Sequence, residues 1–157
     1  MATLRAGDIL RMDAHRYGLY VIKNRAFSEF CDGLKPAQRM ILWACHYLKI
    51  TNTSEYARSA NIVGTATGKF HPHGDTVYEV MKRMTANYIR HPYFKAEADF
   101  GDRFELGGAA RYTEARLSDY GQSFLYQDYL DCVPYTQAYD GLNKIPLYLP
   151  ALMPNLL

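Results

Sequence analysis

Apolar residues recur every three or four positions over much of the chain, which is the spacing of an amphipathic helix. Pro36 begins the clearest of these segments, and proline suits the first turn of a helix. The residues that this pattern predicts to face inward are Ile41, Leu42, Ala44, Cys45 and Leu48. The helical spacing as a whole predicts helices over residues 13–30, 36–48, 56–63, 75–89 and 113–129.

Strand and turn patterns lie between and after these helices. Apolar and polar residues alternate between residues 93 and 104, which predicts a strand, and residues 101–108 predict a loop or wing beside it. Two short helices joined by a tight turn form a helix-turn-helix pattern, and a strand and wing after such a pattern indicate a winged helix. The prolines after Val133 predict extended chain or edge strands.

The predicted fold class is therefore α+β and mainly α. It is a winged-helix domain, a helix-turn-helix with a β wing, that carries an N-terminal helical arm and an extended C-terminal tail. The predicted boundaries are 1–30 for the arm, 31–130 for the winged-helix domain and 131–157 for the extended segment.

Composition excludes several classes of protein. The chain has 157 residues with 48% hydrophobic and 22% charged residues, which is typical of one globular domain and not of a disordered chain. Three widely spaced cysteines with no C-x-x-C pair indicate neither a zinc site nor a disulfide framework, as expected in a reducing cytosol. The longest apolar run, residues 40–48, is too short to cross a membrane.

The net charge of +2 is small, but its distribution is uneven. Only two of the 18 Lys and Arg residues, Arg116 and Lys144, follow position 114, whereas four aspartates do. The basic excess therefore lies in the first part of the chain, as expected if one face meets phosphate. Chance asymmetry in a nearly neutral protein is the alternative.

Three runs of sequence carry a more specific signal. They are DGLKPAQR at 32–39, ARSA at 57–60 followed by GKFHPHGD at 68–75, and AARYTEARL at 109–117. Their order and spacing resemble the A subunit of bacterial DNA gyrase, topoisomerase IV and phage topoisomerases, which are type IIA DNA topoisomerases. The runs YDG, KIP and PNLL near the end of the chain extend the resemblance, which begins at about Tyr17.

The resemblance implies that the chain breaks and rejoins DNA by tyrosine transesterification, through a 5′ phosphotyrosine intermediate. Tyr112 is the expected nucleophile, and Arg111 is the expected clamp on the scissile phosphate, since a guanidinium stays charged and binds phosphate with two hydrogen bonds. His73 matches a family histidine near that phosphate and is suited to accept the phenolic proton. Arg39 matches a basic position along the cleaved backbone. A phenol needs such help because its ordinary pKa is ~10.

Further residues match family positions that contact DNA, or are placed to reach phosphate. The expected DNA-binding residues are Arg25, Lys35, Arg58, Ser59, Lys69, His71 and Thr76. For His71 a structural or backbone-contact role is favoured. The chain departs from gyrase in two places: it is one residue shorter after Asp75, and Met40 stands where gyrase has a second arginine.

The resemblance also implies partners and cofactors. Mg²⁺ is expected at the assembled site, with its ligands supplied by a TOPRIM/ATPase subunit like gyrase B, and none is expected in this chain. ATP is expected on that partner only, because no phosphate-binding P-loop motif occurs here. The chain is also expected to bind double-stranded DNA and to form a dimer with a second copy of itself, without a membrane. The expected location is the cytoplasm of a bacterial or phage-infected cell. The tower domain, coiled coil and second dimer gate of the family are expected to be missing, because the sequence ends at Leu157.

Two alternatives to a strand-breaking subunit remain. The chain could be a truncated, non-catalytic module that binds DNA or the partner subunit. It could also be a generic winged-helix transcription factor, although that class gives no reason for the Arg-Tyr-Thr-Glu run at residues 111–114.

Overall fold

The computed structural model describes residues 5–71, 74 and 76–152. The helices are α1 (Ala6–Val21), α2 (Pro36–Tyr47), α3 (Ser59–Thr65), α4 (Val77–Thr85), α5 (Asp119–Gln122) and α6 (Gln127–Leu130). Two π-helical turns, Ile22–Ala26 and Ala66–Phe70, extend α1 and α3. The strands are β1 (Ala57–Arg58), β2 (Phe94–Glu97), β3 (Glu114–Leu117), β4 (Tyr135–Gln137) and β5 (Lys144–Pro146).

The strands form two small antiparallel sheets. In the first sheet β3 lies between β1 and β2, with Ala115 opposite both Ala57 and Ala96. In the second, β4 pairs with β5 as a hairpin, so the expected edge strands after Val133 are confirmed. Helices hold more residues than strands, which confirms the mixed α+β class. The winged-helix assignment stays a prediction.

Helix α2 supplies the centre of the core. It begins at Pro36, and the Gln38 side chain accepts a hydrogen bond from the Lys35 N–H at 2.8 Å, which satisfies one of the free donors at the helix start. Met40, Ile41, Leu42, Ala44 and Cys45 are buried, and α2 packs against α3 and α4 in a core cluster that also includes residues of β2 and β3. The predicted inward face is confirmed, except that Leu48 follows the helix and is half-buried.

Helix α1 differs from the prediction in both position and environment. It begins at Ala6, earlier than the predicted residue 13, and its π-helical extension ends at Ala26. Neither the helix nor the extension has a buried residue, and apolar side chains such as Leu10, Tyr17 and Leu19 are more than half exposed.

The prediction of one helix over residues 113–129 is wrong. Thr113, Ala115 and Leu117 are buried in alternation with half-buried Glu114 and Arg116, which is the two-residue period of a strand. Helices α5 and α6 follow as separate four-residue turns. The helical pattern at 56–63 is confirmed only from Ser59, but it continues through Gly64 and Gly68.

The predicted loop at residues 101–108 is confirmed, and it closes tightly on itself. Gly101 and Gly107 have φ of 81° and 68°, in the left-handed region that favours glycine. A Cβ on Gly107 would collide with the backbone of Phe100, so only glycine fits. Asp102 accepts from the N–H groups of Phe104 and Glu105, and these bonds lower the pKa of its carboxyl. These contacts therefore fix the backbone of the loop just before the segment that contains Tyr112.

Candidate functional site

The segment of residues 108–113, called here the tyrosine loop, presents Arg111 and Tyr112 to solvent. A turn forms as the Tyr112 N–H donates to the Ala109 carbonyl at 2.9 Å. The Tyr112 side chain is 70% exposed, although large aromatic rings usually pack inside. The Arg111 guanidinium lies over this ring, 4.8 Å from its centroid. The two residues expected at the centre of the chemistry are thus side by side and accessible to DNA.

The backbone on both sides of these two residues is fixed to the start of α3. The Ser59 N–H donates to the Thr113 carbonyl, and the Ala60 N–H donates to the Ala110 carbonyl, both at 2.9 Å. The Gly108 N–H donates to the Asp99 carbonyl at 2.9 Å, which joins the tyrosine loop to the preceding loop. The exposed pair is therefore held by its neighbours.

A second feature is an open cleft of about 360 Å³ between α2, α4 and the end of the N-terminal helix. We call it the basic cleft. It is lined by Asn24, Arg25, Lys35, Ala37, Gln38, His71, Thr76, Val80 and Arg83. Three of these described residues are cationic and none is acidic. Such a surface attracts a phosphate backbone.

Four of the residues expected to bind DNA line the basic cleft. Arg25 lies in the π-helical turn after α1, Lys35 precedes α2, and His71 follows the extension of α3. Thr76 precedes α4. Arg83 also lines the cleft, but it was not predicted from the sequence. It lies seven residues after Thr76 and three after Val80, and this spacing places the three side chains on one helix face.

The structure does not place Arg39 on the exposed surface. Arg39 is only 5% exposed, and its Nε and Nη2 donate to the two carboxylate oxygens of Asp32 at 2.7 and 2.9 Å. Nη2 also donates to the Leu34 carbonyl at 3.0 Å. The guanidinium is therefore engaged by protein groups, and its expected contact with the DNA backbone stays a prediction.

Ser59 is likewise placed away from the exposed surface. It is fully buried, and its hydroxyl lies 2.9 Å from the donating Thr113 hydroxyl. Its side chain therefore contacts the tyrosine loop, and its expected contact with DNA stays a prediction. The motif gives the residue type but not the direction in which the side chain points.

Two further expected residues lie outside the described lining of the basic cleft, and a third is not among the described residues. Arg58 is exposed beside the tyrosine loop, and its Nε is 3.9 Å from a carboxylate oxygen of Glu114. Lys69 lies over the Tyr47 ring, with Nζ 5.0 Å from the centroid. His73 lies outside the described residues.

The tyrosine loop and the basic cleft contact different faces of α4. Thr76, Val80 and Arg83 line the cleft, whereas the Tyr78 hydroxyl donates to the Gly108 carbonyl of the tyrosine loop at 2.6 Å. On the same side as Tyr78, Lys82 Nζ donates to the Leu106 carbonyl of the preceding loop at 3.2 Å. At about 100° per residue, the second face points about 150° away from the first. Tyr112 is not among the described residues that line the cleft.

Clusters of metal ligands and membrane-spanning helices are absent from the described residues. Across residues 5–71, 74 and 76–152, no three His, Cys, Asp or Glu side chains cluster as metal ligands. In the same part of the chain, no helix combines the length and the hydropathy needed to span a bilayer.

Comparisons with known proteins identify the family of the chain. The family model for the A subunit of DNA gyrase/topoisomerase IV matches residues 25–157. The A subunit of DNA topoisomerase 4 from Neisseria gonorrhoeae is 39% identical over 99% of this chain and 21% of its own length. The DNA gyrase A subunit from Aminobacterium colombiense is 40% identical over 90% of this chain and 18% of its own length, and that from Spiroplasma citri is 39% identical over 90% and 63%.

The chain spans about a fifth of the length of the first two relatives. The family match itself covers most of the sequence and includes the tyrosine loop. This chain therefore belongs to the A-subunit family of DNA gyrase and topoisomerase IV.

Proposed function

We propose that this chain carries the nucleophile of a type IIA topoisomerase and breaks DNA through Tyr112. The observation that carries the proposal is the exposed Tyr112 ring with the Arg111 guanidinium 4.8 Å from its centroid, in a chain of the gyrase A family. An exposed tyrosine beside a cation, on a loop held at several points, suits attack on a phosphate.

The proposed reaction exchanges one phosphate ester for another. The Tyr112 oxygen attacks a backbone phosphorus in line, the bond from phosphorus to the 3′ oxygen breaks, and that oxygen leaves as a 3′ hydroxyl with a proton. The phenolic proton passes to a base, for which His73 is the candidate. Arg111 stabilises the negative charge that gathers on the phosphate oxygens. Because an ester replaces an ester, the reverse reaction reseals the strand without ATP.

The basic cleft is proposed to hold the DNA backbone. Arg25, Lys35 and Arg83 supply positive charge, and His71 and Thr76 supply polar groups. Phosphate contacts of this kind fix the position of a protein on the duplex. They also release counterions, so binding weakens as salt increases.

A dimer is proposed from the separation of the two features on α4. Within one chain, Tyr112 and the described lining of the basic cleft lie on different sides of that helix. We propose that two copies bind one duplex, so that the cleft of one copy and the tyrosine loop of the other can act on the same segment of DNA. A symmetric pair also provides one nucleophile for each strand.

The remaining components are proposed to come from a partner. The metal ligands are proposed to lie on the partner, so no step of the proposed reaction is assigned to the metal in this chain. A TOPRIM/ATPase subunit would supply the metal ligands and the ATP site. The proposed setting is the cytoplasm of a bacterial or phage-infected cell.

The proposal is tested by trapping the covalent adduct. The chain is mixed with a TOPRIM/ATPase subunit from the same source, Mg²⁺ and duplex DNA labelled at either the 5′ or the 3′ end, and the reaction is stopped with denaturant. We expect the fragment with the 3′ label to migrate with the protein, since a 5′ phosphotyrosine joins the protein to that fragment. Peptide mass spectrometry should place the nucleotide on Tyr112.

Two outcomes would count against the proposal. Attachment of the protein to the fragment with the 5′ label would exclude the proposed polarity of cleavage. DNA binding without an adduct would favour the non-catalytic DNA-binding module instead.

A separate prediction concerns Arg83, which lines the basic cleft on α4. Arg83→Gln should weaken binding to all duplex sequences by a similar factor, because phosphate contacts carry no sequence information. The slope of log affinity against log salt should become shallower by about one unit. Fluorescence anisotropy with labelled duplexes at several salt concentrations measures both effects.

Arg16→Gln is the matched control, because Arg16 is an exposed arginine on α1 whose guanidinium lies near Asp13. It removes the same charge at a distance from the described cleft lining. An equal change of slope in both variants would show that net charge alone, and not the cleft, determines affinity.

A further inference from the structure

The hydroxyl of Tyr78 connects α4 to both ends of the tyrosine loop. It donates to the Gly108 carbonyl at 2.6 Å, and it lies within hydrogen-bonding distance of the Thr113 Oγ1, at 3.0 Å. Arg111 and Tyr112 lie between these two points of contact. Tyr78 is half-buried and packs against the core, so its ring is held while its hydroxyl reaches the loop.

The contact with Thr113 extends to α3. The Thr113 hydroxyl donates to the buried Ser59 hydroxyl at 2.9 Å, and the backbone of Thr113 accepts from the Ser59 N–H. Thr113 itself is only 1% exposed. Hydrogen bonds in such buried surroundings are costly to break without a replacement, so the three side chains hold the loop in one position.

Helix α4 therefore contacts the two proposed functional features at once. One of its faces lines the basic cleft, and Tyr78 on the other face holds the tyrosine loop. In the proposed dimer, α4 of each copy would hold the tyrosine loop in a fixed position relative to the cleft of that copy, and so relative to the duplex that both copies bind.

We propose that Tyr78 is a positioning residue, which fixes the turn of Arg111 and Tyr112 relative to the DNA-binding surface. The inference rests on the proposed strand-breaking function. Tyr78 acts through the loop, since its hydroxyl donates to Gly108 and lies 3.0 Å from the Thr113 hydroxyl. In-line attack depends steeply on geometry, and a displacement of the nucleophile by about 1 Å can cost ~100-fold in rate.

The test compares Tyr78→Phe with the unchanged chain in single-turnover cleavage, in the presence of Mg²⁺ and the TOPRIM/ATPase subunit. Phenylalanine keeps the ring in the core and removes only the hydroxyl. We expect the rate of adduct formation at saturating DNA to fall between about tenfold and 100-fold. The DNA concentration that gives half the maximal rate should not change, because the cleft is intact.

Variants of Thr113 provide an independent check. Thr113→Val removes the hydroxyl and should slow cleavage, whereas Thr113→Ser keeps it and should restore most of the rate. The double variant Tyr78→Phe with Thr113→Val should be less impaired than the product of the two single effects, because both changes loosen the same loop. Tyr88→Phe is the matched control: Tyr88 follows α4, is exposed, and contacts Arg103 through its ring.

Hydrogen exchange tests the order of the loop without DNA. In Tyr78→Phe the amides of Ala60 and Tyr112, which donate to carbonyls of the tyrosine loop, should exchange about threefold to tenfold faster, as expected for one lost hydrogen bond. The amide of Leu48 at the end of α2 should exchange at its original rate.

The outcomes distinguish a failure of the strand-breaking function from a failure of the positioning role of Tyr78. If the unchanged chain forms no adduct, the strand-breaking function is wrong and the positioning role falls with it. If the unchanged chain forms the adduct and Tyr78→Phe forms it equally fast, only the positioning role is wrong. Unchanged exchange at Ala60 and Tyr112, or an equal loss of DNA binding and cleavage in Tyr78→Phe, would also overturn it.

Discussion

Tyr112→Phe is expected to abolish the covalent adduct while DNA affinity stays the same. Phenylalanine lacks the attacking oxygen, so adduct formation should fall by a factor on the order of 10⁴ or more, as for other enzymes that lose their nucleophile. The ring remains available to the Arg111 guanidinium, and the anchoring contacts of the tyrosine loop involve the backbone and other side chains. Adduct yield on denaturing gels and affinity by anisotropy measure the two quantities.

Tyr139→Phe is the matched control for this change. Tyr139 is also largely exposed, at 60%, and lies between β4 and β5. The Tyr139→Phe variant should form the adduct at the same rate as the unchanged chain. If Tyr112→Phe retained the adduct, or lost affinity in proportion to cleavage, Tyr112 would not be the nucleophile.

Asp32→Ala is expected to lower the free energy of unfolding by about 3–5 kcal/mol, the usual effect of removing one partner from a buried ion pair. Asp32 is fully buried, and its carboxylate accepts from Arg39 and from the N–H groups of Leu34 and Leu149. The variant leaves a buried guanidinium without its counter-charge. Since small domains are stable by only about 5–15 kcal/mol, the loss is a large part of the total. Urea unfolding followed by circular dichroism measures it.

Two further variants test whether the burial of the Asp32 ion pair explains this loss of stability. Asp119→Ala also removes an aspartate from an ion pair, with Lys95, but both groups are exposed, so the loss of stability should be much smaller. The double variant Asp32→Ala with Arg39→Met should recover part of the loss, because it removes the unpaired charge. If Asp119→Ala were as destabilising as Asp32→Ala, the burial of the Asp32 pair would not explain its effect.

The helices of the core were predictable because their pattern is locally consistent. Proline at the start of α2 and apolar residues at helical spacing indicate the same element that the fold contains. Strand β3 was missed because its four residues, Glu114–Leu117, have no strong strand preference. Pairing with β1 and β2 on both sides makes them extended, and those partners are distant in sequence.

The site was predictable in its exposed part and not in its buried part. Motifs indicated Arg111 and Tyr112, which lie side by side, and four residues of the basic cleft. They did not indicate that Arg39 is buried against Asp32, because an arginine in a motif is read as a phosphate contact unless its carboxylate partner is known. Asp32 precedes it by seven residues, and only the folded loop brings the two side chains together.

The single tryptophan of the chain, Trp43, reports on the docking of the C-terminal hairpin. Its indole N–H donates to the Lys144 carbonyl at 3.2 Å, across 101 positions, and its ring lies 5.9 Å from the Tyr135 ring between centroids. The hairpin of β4 and β5 thus shields one edge of α2. When that hairpin detaches, water reaches the indole, so intrinsic fluorescence gives a label-free signal for undocking of the C-terminal segment during unfolding or synthesis.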